Sequence, residues 1–323
     1  MSIRACRAFL MASIVTIAFS TVPFAQGTPY PQDGRNVEIT VLFPAGTSAD
    51  VTARLLAEGM AKHLGANIVV VNRPGAGGAI GYRHVAVQKP DGYSLVWNSN
   101  SISTAYHSGQ LAFDFRAFDA VARALVESPI VVVKGDAKWK SLPELIADAK
   151  ARPGAVTVGN SGIGSHTHIS SVALFKAARA TVIDVPYAAA QVVPGLLGGH
   201  VDALVQLPGA VSTHAKSGAV RVLATLVPNR DPVLPDVPTA KEQGVDVALE
   251  AWRGIALPKG TPTNVIAALE AAIRKAVEAP EFAAASERLG IRPAFATANE
   301  FSAIIAKEDA ELEQLMRAIG LKK

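Results

Sequence analysis

Residues 39–64 carry the feature that constrains this chain most. An apolar strand-like run, Ile39-Thr40-Val41-Leu42-Phe43, leads into a loop of small residues, Pro44-Ala45-Gly46-Thr47-Ser48-Ala49-Asp50. A helix-like run from Val51 to Leu64 follows. A strand feeding such a loop and then a helix aims backbone N–H groups and the positive helix end at one spot, which suits an anion. The same order returns in the second half of the chain. Val156-Thr157-Val158 leads into Gly159-Asn160-Ser161-Gly162-Ile163-Gly164-Ser165, and an apolar-periodic stretch ends near Ala178. Two anion-reading helix ends in separate halves point to a clamp around a small acid.

The first residues bear on the compartment. Arg4 and Arg7 make a short basic start, and Ala8 to Phe19 is apolar but too short to span a bilayer. Small residues and Pro23 follow. The pattern is that of a secretory signal peptide, taken as residues 1–27, with cleavage after Ser20, Ala25 or Gly27. The only cysteine, Cys6, lies inside it, so the mature chain would hold neither a disulfide nor a Cys-ligated metal. Without Arg4 and Arg7 the 31 basic residues become 29 against 27 acidic ones, a net charge of +2. With no Lys/Arg cluster, that balance speaks against a nucleic-acid partner. About 295 residues remain, enough for two lobes with separate cores or for one large domain.

Along the mature chain, strand-like runs alternate with helix-period segments. Asn67 to Val71, Ser94 to Trp97, Val182 to Val185, Val201 to Gln206 and Val220 to Leu226 read as strands. Gly78 to Val87 reads as a helix. Ser141-Leu142-Pro143-Glu144 and Thr239-Ala240-Lys241-Glu242 are capping-box patterns that predict helix starts. Thr261-Pro262 opens a helix to about Ala279, and Asn299 to Ile319 is an amphipathic helix. This alternation predicts an α/β fold with mostly parallel sheets, whose loops gather on the ligand-binding edge. Val121 to Val133, broken at Glu127-Ser128-Pro129, and Ala248 to Leu257 are the candidate strands crossing between lobes. One lobe would then hold residues 28–125 with 251–323, and the other 126–250.

In order, these motifs resemble the extracytoplasmic solute-binding proteins of tripartite tricarboxylate transporters, the Bug family. The resemblance is carried by Val69-Val70-Val71-Asn72-Arg73-Pro74-Gly75-Ala76-Gly77-Gly78 and by Asn160-Ser161-Gly162-Ile163-Gly164-Ser165 with His168 and Leu174-Phe175. Val185-Pro186-Tyr187, Leu197-Gly198-Gly199-His200-Val201-Asp202, Leu234-Pro235-Asp236-Val237-Pro238-Thr239 and Pro258-Lys259-Gly260-Thr261-Pro262 continue it. It implies a type II periplasmic-binding-protein fold: two lobes of sheet flanked by helices, joined by two crossing strands. It further implies a periplasmic monomer holding a small carboxylate ligand through backbone amides, and two partners, the small and large membrane subunits of a cation-coupled importer. The chain departs from the family at Thr47, Ser48 and Ala49 in the first loop and at Ala188-Ala189-Ala190 after Tyr187.

The candidate ligand-site residues are Phe43, Ala45, Gly46, Thr47, Ser48, Asp50 and Gly78, then Ser161, Gly164, Ser165, His166, Tyr187, Asp202 and Arg253. Thr47, Ser48, Ser161 and Ser165 can donate hydroxyl hydrogen bonds to a carboxylate, with the loop amides expected to contribute more. Asp50 also fits a helix cap, since a carboxylate aimed at a carboxylate repels. Arg253 reads either as a solvent-facing strand charge or as a cation for a second ligand carboxylate. Trp252 and Tyr187 fit apolar walls or plain core. His166-Thr167-His168 lacks further ligands for a metal, with His168 expected to be structural and His166 to face the cleft. Gly75-Ala76-Gly77-Gly78-Ala79-Ile80-Gly81 fails the dinucleotide spacing because Ile80 stands where a glycine is needed. No cofactor is therefore expected. A binding protein that closes on its solute is the expected function. The alternative is a secreted hydrolase built on Ser161 and His168, which lacks a Gly-x-Ser-x-Gly elbow and a third partner.

Overall fold

A computed structural model describes residues 30–322; the expected signal peptide lies outside the described residues. The chain first forms β1 (Val37–Val41), α1 (Ser48–Leu64), β2 (Ile68–Asn72), α2 (Ala79–Ala86), β3 (Ser94–Ser99), α3 (Ser101–His107) and β4 (Phe118–Glu127). It then makes β5 (Ile130–Lys134), α4 (Leu142–Ala151), β6 (Thr157–Asn160), α5 (His166–Ala177), β7 (Ile183–Pro186) and α6 (Val192–Leu197). β8 (Ala203–Gln206), α7 (Ser212–Lys216) and β9 (Val220–Thr225) complete that part. The chain ends with β10 (Ala251–Pro258), α8 (Thr263–Glu278), α9 (Pro280–Leu289), β11 (Arg292–Ala296) and α10 (Ala298–Ala318).

These strands sort into two sheets and the molecule into two lobes. The first sheet has the order β11-β4-β10-β3-β1-β2 and the second β7-β6-β8-β5-β9. The α/β, two-lobed architecture is the expected one, but the sheets are mixed rather than mostly parallel. β1 pairs parallel with β2 and β3, and β6 pairs parallel with β7 and β8. β10 runs antiparallel to both its neighbours, and so does β5. The reason lies in the crossings. Right-handed βαβ units give parallel neighbours, whereas β5 and β10 arrive from the other lobe and enter each sheet against the direction of the strands beside them.

Two crossing segments lie side by side. β4 runs into β5 through Ser128-Pro129, and the Leu226 amide donates to the Pro129 carbonyl at 2.7 Å. The Ser128 hydroxyl donates to the buried Asp231 carboxylate. Leu249, just before β10, donates to the Leu226 carbonyl at 2.8 Å. The first lobe packs α1 and α8 on one face around Ile39, Leu56, Trp97 and Ile273, and Leu42, Tyr82, Trp252 and Phe301 fill the other face. The second lobe has its own cores around Val131, Leu145 and Leu174, and around Val132, Leu196 and Leu204. α10 belongs to both lobes. Phe301 and Ile305 sit in a core of the first, Leu315 packs against a core of the second, and the Lys176 ammonium donates to the Ala318 carbonyl at 2.6 Å.

α3, α7, α9 and β11 have no counterpart in the sequence reading. At Thr239 both capping-box bonds form, Thr239 N–H to Glu242 at 2.7 Å and Glu242 N–H to the Thr239 hydroxyl at 3.0 Å, yet no helix follows. Gly244 takes a left-handed φ of +88° and closes the segment after one turn.

Gly254 on β10 marks a close approach. A Cβ there would sit 2.3 Å from the Ala122 carbonyl oxygen and 2.5 Å from the Phe301 ring. Gly254→Ala is therefore expected to destabilise the fold by about 1–3 kcal/mol through overpacking, read from urea unfolding followed by circular dichroism.

Candidate functional site

Both small-residue loops end in a capped helix. Thr47 caps α1 by accepting the Asp50 amide, and its own hydroxyl donates to the Pro44 carbonyl at 2.7 Å. Asp50 braces the loop from behind. Its carboxylate accepts the Gly46 amide at 3.0 Å, the Asn72 side-chain amide at 2.9 Å and the Arg54 guanidinium at 3.0 Å. Burial pushes this carboxyl up, but those donors outweigh it and hold it below the ordinary carboxylate range. Ser165 caps α5 by accepting the His168 amide at 3.2 Å.

The second loop uses its own amides internally. Ser161 N–H donates to Thr167 Oγ1 at 3.0 Å, Gly162 N–H to Asn160 Oδ1 at 3.1 Å and Gly164 N–H to His168 Nδ1 at 3.3 Å. The amides left facing outward are those no helix can satisfy, the first two of α1 and of α5. They belong to Ser48 and Ala49 and to His166 and Thr167, and all four residues line one chamber. One helix comes from each lobe, so two positive helix ends meet there.

Hydroxyls and amides complete that chamber: Thr47, Ser99, Asn100, Ser101, Ser161, Ser165 and Gln206. Phe43, Ala189, Leu207 and Trp252 supply its apolar surface. The chamber is small, about 30 Å³. A wider outer cavity of about 650 Å³ shares Phe43, Ser161 and Ala189 as walls. Pro44, Pro74, Ala76, the glycines 75, 77, 78 and 162, Gln110, Ile163, Pro186, Tyr187 and Ala188 line the rest of it.

Among the described residues one formal cation lines the inner chamber. Arg253 on β10 is only 4% exposed, so it is not a solvent-facing strand charge. Its Nε donates to Glu127 Oε2 at 2.8 Å, and Glu127, at the end of β4, is 1% exposed. The other Glu127 oxygen accepts the Ser48 hydroxyl. Among the described residues, neither terminal nitrogen of Arg253 makes a hydrogen bond. His166, 6% exposed, has a buried Nε2 with no partner. Burial, with the Arg253 charge adding to it, pushes the His166 imidazole down to about 4, so the ring is neutral at neutral pH.

Of the candidate residues, the structure gathers Phe43, Thr47, Ser48, Ser161, Ser165, His166 and Arg253 around the inner chamber and Gly78 and Tyr187 around the outer cavity. Ala45, Gly46, Asp50, Gly164 and Asp202 line neither. Asp202 ties β6 to the start of β8, accepting the Thr157 amide and hydroxyl, each at 2.8 Å. Gly164 offers its carbonyl to the Thr104 hydroxyl at 2.6 Å. Sequence reasoning missed Asn100 and its serine neighbours, although Asn100 joins the end of β3 directly to the start of α3. It also missed Glu127, whose signal was a lone charge at the end of an apolar run.

Comparison with known proteins adds the family. A family model described as the tripartite tricarboxylate transporter family receptor matches residues 52–321. BugT of Bordetella pertussis is 34% identical over 299 residues, 91% of each chain. A Rhodopseudomonas palustris protein solved with adipate is 25% identical, with a TM-score of 0.84 over 90% of this chain and 99% of that one. MatC of the same organism, with bound malate, is 26% identical, with a TM-score of 0.81 over 88% and 99%.

Behind the chamber wall, Glu308 on α10 accepts the Asn100 side-chain amide at 2.7 Å and the Trp252 indole N–H. Burial, opposed by the indole bond and aided by Glu250 and Glu311, pushes its carboxyl up to about 7 from an ordinary 4.5. The folded state then keeps this proton where the unfolded chain releases it. The stabilisation is complete below about pH 4.5 and is lost as pH rises through about 7. Glu308→Gln is expected to match the parent near pH 4.5 and to exceed it by about 2–3 kcal/mol near pH 8.5, measured by urea unfolding at both pH values.

Proposed function

The chain belongs to the tripartite tricarboxylate transporter receptor family, and from that premise we propose that it captures a small carboxylate between its lobes and delivers it to a membrane importer. The single observation that carries this reading is the convergence of two helix N-termini, one per lobe, on the chamber that Arg253 also lines. The adipate and malate found in two relatives accord with it. In this reading residues 28–125 with 251–323 act as one jaw and 126–250 as the other. The basic, apolar N-terminal stretch directs export, so capture takes place in the periplasm and the importer's small and large membrane subunits receive the solute. No described helix is long and apolar enough to cross a membrane.

Closure has visible contacts. The Thr104 hydroxyl reaches the Gly164 carbonyl at 2.6 Å, and the Gln110 side-chain amide reaches the Ile163 carbonyl at 2.9 Å. Both join the jaws across the mouth, and a ligand that bridges both helix ends favours the state in which they form. The hydrolase alternative lacks its dyad. Ser161 Oγ is engaged with Gln206 at 3.1 Å, and His168 Nδ1 accepts the Gly164 amide.

Thermal unfolding in a panel of carboxylates tests the reading. A bound acid at about 100 times its Kd should add about 2.7 kcal/mol of stability, with the acid recovered unchanged. Turnover of an ester or amide, or no stabilisation by any acid, would count against it. Thr104→Val should weaken binding about 2- to 10-fold by removing one closing bond, read by calorimetric titration.

A further inference from the structure

The inner chamber has an uneven chemistry. It presents a cation, two helix ends and a neutral imidazole, and among the described residues no Asp or Glu lines it. Arg253 is held by its Nε, which leaves the forked end of the guanidinium directed at whatever enters. Glu127 does not line the chamber, and its two oxygens already accept from Arg253 and Ser48. That pair makes a rigid mount for the guanidinium. Through it Arg253 lies two hydrogen bonds from Ser48, at the start of α1, so the cation and a helix end address the same small volume.

Size limits what that volume can hold. At about 30 Å³ against about 650 Å³ for the outer cavity, it seats one end of a solute and not its whole length. The rest of the solute must extend past Phe43 into the outer cavity. There the walls are prolines, glycines, alanines, Phe43, Tyr187 and Ile163, with the side chains of Gln110 and Ser161 adding polar groups, and among the described residues no Lys, Arg, His, Asp or Glu. A second carboxylate placed there would lose water without gaining a cation, and an ammonium in either chamber would lose water without gaining an anion.

We propose that the solute is an amphipathic acid, with a single carboxylate seated on Arg253 in the inner chamber and an apolar body in the outer cavity. This rests on the carboxylate-capture reading given above and narrows it. Arg253 is then the residue that fixes charge selectivity, and Glu127 is its positioning residue. Amino acids and dicarboxylates of the same length are discriminated against by what the cavities lack rather than by a clash.

The test is calorimetric titration of the intact chain with hexanoate, phenylacetate, adipate, norleucine and malate. The better of the two apolar acids should bind at least about tenfold more tightly than adipate, norleucine or malate. Arg253→Gln should weaken that acid by about 30-fold or more, and Arg253→Lys by less. Because Arg253→Gln strands a buried Glu127, the double variant Glu127→Gln with Arg253→Gln is measured beside it. This variant should unfold as cooperatively as the parent and show the same loss of binding. Adipate, norleucine or malate binding as tightly as the apolar acids overturns the inference and leaves the capture reading standing. Undiminished binding of the apolar acid by the folded double variant overturns the role of Arg253 and with it the inference. Failure of all five acids overturns both.

Discussion

One buried carboxylate, that of Glu127, joins three parts of the molecule that have to stay in register. It ends β4, it accepts from Arg253 on β10, and it accepts from Ser48 at the first turn of α1. Those are the strand that leaves for the other lobe, the strand that returns and the helix that faces the chamber. Burying this pair yields little net stability, because desolvation offsets most of the attraction. Its effect is on geometry. The guanidinium cannot swing away from the chamber without breaking its bond to Glu127, and Ser48 is held beside it. Removing either charge alone strands the other in the interior, at a cost of about 3–5 kcal/mol.

The same economy shows in the loops. Asp50, Asp202 and the inner amides of the second loop are occupied with holding the loops in shape. The groups that reach the chamber are the helix-end amides that those braces position and side chains such as Arg253, which Glu127 holds. A binding surface assembled this way is preorganised, so a ligand spends little of its binding energy on ordering it.

Much of the fold was legible in sequence because strand–loop–helix order is a local signal. Gly159 to Ser165 and Pro44 to Asp50 could be placed at the strand ends without knowing any contact. The mixed sheets were not legible, since the direction of β5 and β10 depends on which lobe each comes from, and nothing local records that. The site was legible in part. Thr47, Ser48, Ser161 and Ser165 reach the chamber because loop position alone puts them there, whereas Asp50 and Asp202 line neither cavity because partners elsewhere in the sequence claim their carboxylates. Arg253 could be read two ways because its burial is set by Glu127, 126 residues earlier. The capping box at Thr239 shows the opposite failure. The local bonds formed, and the next glycine still ended the segment.

The last helix has a mechanical consequence. α10 is a stiff rod fixed at one end in the first lobe by Phe301 and Ile305, and it lies against the second by Leu315 and the Lys176–Ala318 bond. A rod riveted to two plates keeps them together along its own side. α3 lies against the same rod, with His107 Nε2 3.1 Å from Asp309, so Thr104 meets Gly164 on the rod's own side, and the relative travel of the plates is limited by a segment that lines neither cavity.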